Sequence, residues 1–196
     1  SYYMKQALLE AHKAGERGEV PVGAVVVCKD RIIARAHNLT ETLTDVTAHA
    51  EMQAITAAAA TLGGKYLNEC TLYVTVEPCV MCAGAIDWAQ MGRLVFGAED
   101  EKRGYQRYAS QALHPKTQVV KGILADECAA LMKEFFAAKR TALTKKVAAA
   151  LLTDGRVKLT GLYSEKTGGT YDATAVLEDT GESVRFRLEF DKGART

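Results

Sequence analysis

The chain has 196 residues, 48% hydrophobic and 25% charged, with a formal net charge of +1. That composition excludes a disordered polymer, and no apolar run reaches the roughly 18 residues that a membrane-spanning helix needs. A near-zero charge leaves any nucleic-acid contact to a local basic face.

Met4, Ala7, Leu8 and Ala11 recur at helical spacing and predict a helix from Tyr3 to about Arg17, closed by Gly15 and Gly18. No signal-peptide apolar region opens the chain, so a cytoplasmic location is expected. Pro21 to Cys28 is a continuous, mostly β-branched run, read as a strand buried on both faces. Lys29-Asp30 makes a tight turn and Arg31 to His37 returns as the hairpin partner. After a polar connection, Asn38 to Asp45, an Ala-rich helix is predicted from about Thr47 to Leu62. Asp45 or Thr47 would cap it, and Gly63-Gly64 would stop it. Thr71 to Val76 is a strand, and Pro78 stands where it would open a helix from Cys79 to about Met91. Arg93 to Gly97 is a further strand. Ala98 to Gln118 reads as a long polar loop, a length that often carries function. Val119 to Ile123 is a short strand, and a helix capped by Asp126 runs to about Lys145. This alternation predicts an α/β layer architecture with a mixed sheet.

The pattern then changes to period two. Val157, Leu159 and Tyr163, then Tyr171, Ala173, Ala175 and Leu177, then Val184, Phe186, Leu188 and Phe190 alternate with polar residues. Turns at Thr167-Gly168-Gly169 and Asp179-Thr180-Gly181 complete a short antiparallel β-meander, too small to be stable alone. Two regions are expected, 1–150 and a C-terminal appendage, 151–196.

Chemistry concentrates in Thr47-Ala48-His49-Ala50-Glu51 and Glu77-Pro78-Cys79-Val80-Met81-Cys82. One imidazole and two thiols make the ligand set of a catalytic zinc with a position left open for water. Cys79 and Cys82, three apart at a helix start, point their sulfurs the same way, where the helix dipole favours thiolate. Glu51 is then free to move protons. Two residues apart on an ideal helix, His49 and Glu51 would diverge by about 200°. Both therefore face the metal only if the helix starts at or just after His49.

The remaining candidates read as structural. Cys28, Cys70 and Cys128 read as small buried hydrophobes, because the five cysteines form no disulfide framework. His12, His37 and His114 have no acidic partner in an identifiable motif. Asp87 and Trp88 lie off the cysteines' face and read as surface or interface packing.

His49-Ala50-Glu51 with Pro78-Cys79-Val80-Met81-Cys82-Ala83-Gly84-Ala85 resembles the zinc nucleobase deaminases. Within that class the chain closely resembles bacterial tRNA-specific adenosine deaminases, through Glu19-Val20-Pro21-Val22-Gly23-Ala24-Val25, Asn38, Leu72 to Pro78, Phe96-Gly97-Ala98 and Gly122 to Cys128. The match covers residues 1 to about 145. It implies a three-layer cytidine-deaminase-like fold with a mixed five-stranded sheet, a homodimer, and one Zn²⁺ per subunit on His49, Cys79 and Cys82. The reaction it implies is deamination of adenosine to inosine at the tRNA wobble position, with zinc-activated water attacking C6 while Glu51 shuttles protons. Asn38 would hydrogen-bond the base, and Pro21, Val22 and Ala50 would line its pocket. The partner would be a tRNA anticodon stem-loop, with no membrane involved.

Where this chain has Tyr105-Gln106-Arg107-Tyr108, that family commonly carries small residues. Asp100, Arg103, Tyr105 and Arg107 are candidate RNA contacts, as are Lys139 and Arg140 on the last helix. The meander is foreign to the family and weakly resembles a tail segment of bacterial type IA topoisomerases, chiefly over Leu159 to Tyr171. The alternative chemistry is deamination of a free base or nucleotide such as guanine or cytosine. Glu19-Val20-Pro21-Val22-Gly23 and Val80 favour the tRNA branch over it.

Overall fold

The apolar run read as a buried strand is β1 (Gly23–Cys28), and every residue in it is buried. This computed structural model describes residues 1–163, 170–179 and 184–190, without the side chains of 139–144 and of some C-terminal strand positions. Ala24, Val26 and Cys28 face one core, and Val25 and Val27 face a second. A strand covered on both sides has no polar face, which is why the run is continuous. β2 (Arg31–His37) pairs with it antiparallel through a turn at Lys29 and Asp30, both with positive φ (48° and 57°). Such a turn matches the twist of the strands it joins.

β3 (Cys70–Val76) pairs antiparallel with β1 on its other side, and β4 (Arg93–Ala98) and β5 (Gln118–Lys121) extend the sheet in parallel. The order β2-β1-β3-β4-β5 makes the expected five-stranded mixed sheet. α2 (Ala50–Leu62) and α3 (Val80–Trp88) cover one face through Ala50, Ala54, Ala58, Ala83 and Ile86. α1 (Tyr2–Glu16) and the start of α5 (Ala125–Asp154) cover the other through Met4, Ala7 and Cys128. The three-layer arrangement is thus the one expected. α1 lies so close to β1 that a Cβ at Gly23 would overlap the carbonyl oxygen of Ala7 and the nitrogen of Ala11. Cys28, Cys70 and Cys128 are buried and free.

Several helix boundaries differ from expectation. His49, and neither Thr47 nor Asp45, is the N-cap of α2. Asp45 Oδ1 is used one turn earlier, accepting from the Thr47 backbone and hydroxyl, both at 2.8 Å. Cys79 is the N-cap of α3, so Pro78 precedes the helix and does not open it. α5 runs beyond Lys145 to Asp154, because Val147-Ala148-Ala149-Ala150 offers no stop before Gly155 (φ +69°). Asp126 lies in its first turn and is not its cap. The long loop contains a short helix, α4 (Tyr105–Tyr108). His37, expected without an acidic partner, has one from a distant element: its Nδ1 lies 3.2 Å from Oε2 of the buried Glu10.

The chain divides into two units, Ser1–Phe136 and Ala137–Thr196. In the second, β6 (Arg156–Tyr163), β7 (Thr170–Asp179) and β8 (Val184–Glu189) form an antiparallel sheet in the order β6-β7-β8. Residues 164–169 and 180–183, where the turns are expected, lie outside the described residues. Ala173 and Ala175 are buried, as the period-two pattern predicts. Ion pairs join Arg187 to Glu178 and to Glu189 (2.7 Å each), and Arg156 to Glu189 (3.4 Å).

Candidate metal centre

Two helix starts carry the expected ligands. His49, before the first turn of α2, has extended backbone (φ −70°, ψ 156°), as has Cys79 before α3 (φ −73°, ψ 173°). This extended backbone takes His49 out of helical register with Glu51. The 200° divergence therefore does not apply, and both side chains turn toward the same point.

His49 Nδ1 lies 3.7 Å from Cys79 Sγ and 3.5 Å from Cys82 Sγ. All three ligand atoms fall within 4.8 Å of one another. In a tetrahedral zinc site, bonds of about 2.3 Å to sulfur and about 2.0 Å to nitrogen give an S–N edge of about 3.6 Å. The donor set therefore fits zinc in both chemistry and spacing, and it leaves a fourth position for a non-protein ligand.

The titration of this set points the same way. The Cys79 thiol is lowered to about 4, chiefly by a hydrogen bond from Cys82, with burial opposing and His49 assisting. The same contact and burial push the Cys82 thiol up, and the hydrogen bond to Cys79 raises His49. Two thiols and an imidazole thus share protons that a divalent cation displaces on binding. Burial also raises the Glu51 carboxyl, which is 4% exposed and within hydrogen-bonding reach of Cys82. A carboxyl held toward its protonated form is suited to passing a proton in either direction.

Beside His49 opens a cleft of about 490 Å³, lined by Thr40, Glu41, Thr44, Asp45, Val46 and His49. Val46 is 84% exposed at this rim. Sequence reasoning placed only a polar connection here. Asn38, Pro21 and Ala50 are buried and Val22 is half-buried, with the Asn38 backbone N–H on the Val22 carbonyl at 3.0 Å.

Two further buried carboxylates escaped sequence reasoning. Glu19 is fully buried at the base of the 38–42 turn. Glu77, 6% exposed, accepts from the backbone of Asp100 (3.1 Å) and of Gln106 (3.0 Å). A Cβ at Gly104 would overlap that carboxylate, and Gly104 also bridges to Cys79. The long polar loop is therefore fastened to the segment that carries a metal ligand. The available sequence signal was an acidic residue flanked by apolar neighbours, in Val76-Glu77-Pro78.

The candidate RNA contacts separate accordingly. Tyr105 is 4% exposed and belongs to the core beneath the loop, so its ring is not available for stacking on a base; this corrects the sequence expectation. Asp100 Oδ1 is committed to the turn, accepting from the Lys102 and Arg103 backbone at 3.0 Å each. Arg103 and Arg107 are exposed, with Arg107 Nη1 on the Glu101 carbonyl at 3.0 Å. The side chains of Lys139 and Arg140 lie outside those described.

Residues 1–98 match the family described as the cytidine and deoxycytidylate deaminase zinc-binding region. The tRNA-specific adenosine deaminase of Agrobacterium fabrum is 44% identical over 145 residues, 71% of this chain and 95% of that protein. The Bacillus subtilis enzyme of the same name is 47% identical over 139 residues, 68% of this chain and 86% of its own. A solved structure from work on A-to-I editing by tRNA:A34 deaminases superposes with a TM-score of 0.63 at 46% identity, covering 66% of this chain and 98% of that one. A guanine deaminase from Nitrosomonas europaea superposes at 0.62 with 26% identity, over 69% and 83%. On these likenesses and on the donor set its first 98 residues carry, the chain belongs to the zinc-dependent cytidine and deoxycytidylate deaminase family, among the tRNA-specific adenosine deaminases.

Proposed function

We propose that this chain deaminates adenosine to inosine at the wobble position of a tRNA anticodon. The observation that carries the reading is Glu51 buried beside a His49, Cys79 and Cys82 cluster in a chain of this kinship. His49, Cys79 and Cys82 would hold a zinc ion, which would supply Lewis-acid chemistry toward a water near neutral pH. Glu51 takes a proton from the attacking water and passes it to ring N1 as the C6–O bond forms. It then takes the remaining proton from the new C6 hydroxyl, which becomes the carbonyl, and delivers it to the amine as the C6–N bond breaks, so one water is consumed and one ammonia leaves. Asn38 hydrogen-bonds the base, while Pro21, Val22 and Ala50 shape its pocket. A base within an anticodon loop is splayed out to enter. Arg103 and Arg107, both exposed, meet phosphate of the RNA in this reading.

The second reading, deamination of free guanine, is favoured by the likeness to the Nitrosomonas europaea enzyme. One assay separates the two: zinc-loaded protein is offered an anticodon stem-loop with adenosine at the wobble position, alongside free guanine, adenine and cytosine. The expected result is inosine and ammonia from the stem-loop. Turnover of free bases alone would sink the tRNA reading.

The finer assignments belong to the same proposal. A cytoplasmic location follows from the substrate, and no helix among the described residues is long and apolar enough to cross a membrane. A homodimer is supported by the outer side of α3, where Val80, Met81 and Trp88 are exposed, Trp88 by 84%. The region 151–196 is an appendage to the chemistry of 1–150, since the metal ligands and the cleft all lie in the first unit. Deleting residues from Leu152 onward should leave stem-loop turnover and a solution mass of twice the chain unchanged. A folded truncation without activity would make the meander part of the enzyme, and a monomer mass in the full chain would remove the dimer.

A further inference from the structure

Glu19 follows the left-handed Gly18 (φ +77°) that ends the α1 segment, and it is fully buried. Its Oε1 accepts from the Thr42 backbone N–H at 2.7 Å. Its Oε2 accepts from the Glu41 N–H at 3.1 Å, the Thr40 hydroxyl at 3.2 Å and Asn38 Nδ2 at 3.4 Å. Every group aimed at this carboxylate is a donor, and only an acceptor without hydrogens of its own satisfies them all. Burial alone would raise this carboxyl, but the backbone N–H groups of Thr42 and Glu41 and the hydroxyls beside them hold it below the usual carboxylate range.

The arrangement has a directional consequence for Asn38. The Thr40 hydroxyl gives its hydrogen to Glu19, so it meets Asn38 Nδ2, at 3.0 Å, as an acceptor. The Asn38 amide nitrogen is thereby turned into the protein, toward Glu19 and Thr40. Oδ1 has no protein partner among the described residues, and none of their fully enclosed side-chain nitrogens or oxygens is unpartnered. Oδ1 is therefore not fully enclosed in this 5% exposed side chain.

We propose that Glu19 is a positioning residue for base recognition, fixing the Asn38 amide so that its carbonyl oxygen, a hydrogen-bond acceptor, meets the incoming base. Asn38 then reads a donor on the base's polar edge. Adenine offers one at its exocyclic amine, and ring N1 becomes another once protonated. This inference rests on the assignment of Asn38 to base binding under the proposed function.

Glu19→Gln is the direct test, because it keeps the shape while bringing two N–H groups among donors. In protein labelled with ¹⁵N at asparagine, the Asn38 side-chain hydrogens should exchange slowly in the unaltered chain and rapidly in Glu19→Gln. With the stem-loop, KM should rise about tenfold, the equivalent of one lost hydrogen bond, with kcat changed less. Asn38→Ala added to Glu19→Gln should cost no more than Asn38→Ala alone, because Glu19 acts through Asn38. Losses that multiply, or Asn38 hydrogens that exchange equally fast in both proteins, would overturn the proposal. If Glu19→Gln does not fold, Thr40→Val removes the bridging hydroxyl and is read in the same cycle, with the same two outcomes deciding. Should the unaltered chain fail to turn over the stem-loop, the wobble reading falls, while the exchange measurement still decides the role of Glu19.

Discussion

Replacing Glu51 by alanine is expected to lower kcat by roughly 10²- to 10⁴-fold, the span that positioned proton transfer contributes. Bound zinc should stay at one per chain, because the ligand atoms belong to His49, Cys79 and Cys82. Stem-loop affinity should also persist, because Glu51 is 4% exposed and offers little surface to RNA. The separation of these readouts follows from the local backbone. Glu51 sits in the first turn of α2, while His49 stands outside it in extended conformation, so the carboxyl is beside the ligands without being one. Turnover close to that of the unaltered protein would take Glu51 out of the mechanism. Loss of zinc together with activity would make it a ligand in place of a proton carrier.

Cys82→Ala should remove both bound zinc and activity while leaving the fold in place. Cys82 is fully buried, yet the sheet and its two cores are built from other side chains, among them Val26, Leu72, Leu94 and Phe96. A ligand that binds only the folded state stabilises it by about 4 kcal/mol at a thousand times its dissociation constant. Added zinc should accordingly raise the Tm of the unaltered chain and leave that of Cys82→Ala unmoved. Elemental analysis showing one zinc per chain in the variant would refute the assignment of Cys82.

The site was legible in the sequence wherever its geometry is local. Cys79 and Cys82 are three residues apart at a helix start, so their convergence needs no tertiary information. His49 and Glu51 were legible with a condition attached, that the helix begins between them, and α2 begins at Ala50. The cap was misread because Asp45 is a strong capping type, yet its oxygen is spent on Thr47, within a turn that delivers His49 in extended backbone. Tyr105 was misread because loop composition says nothing about which member of a polar segment turns inward. The Glu77 carboxylate and the bare Cα of Gly104 draw the loop down, and the phenol ring goes into the core with it.

Local pattern by itself determined the strands, the four longer helices to within their ends, the two-sided burial of β1 and the zinc ligand set. Those follow from side-chain periodicity and from residue types whose chemistry is the same wherever they are placed. Only the tertiary structure decided what lies around the ligands. It brought Glu10 to His37 across 27 residues, Glu19 to Asn38 across 19 and Glu77 to Gln106 across 29. A buried carboxylate must find its donors, and backbone N–H groups, which every residue but proline carries, leave no mark in a sequence to show which of them it will find.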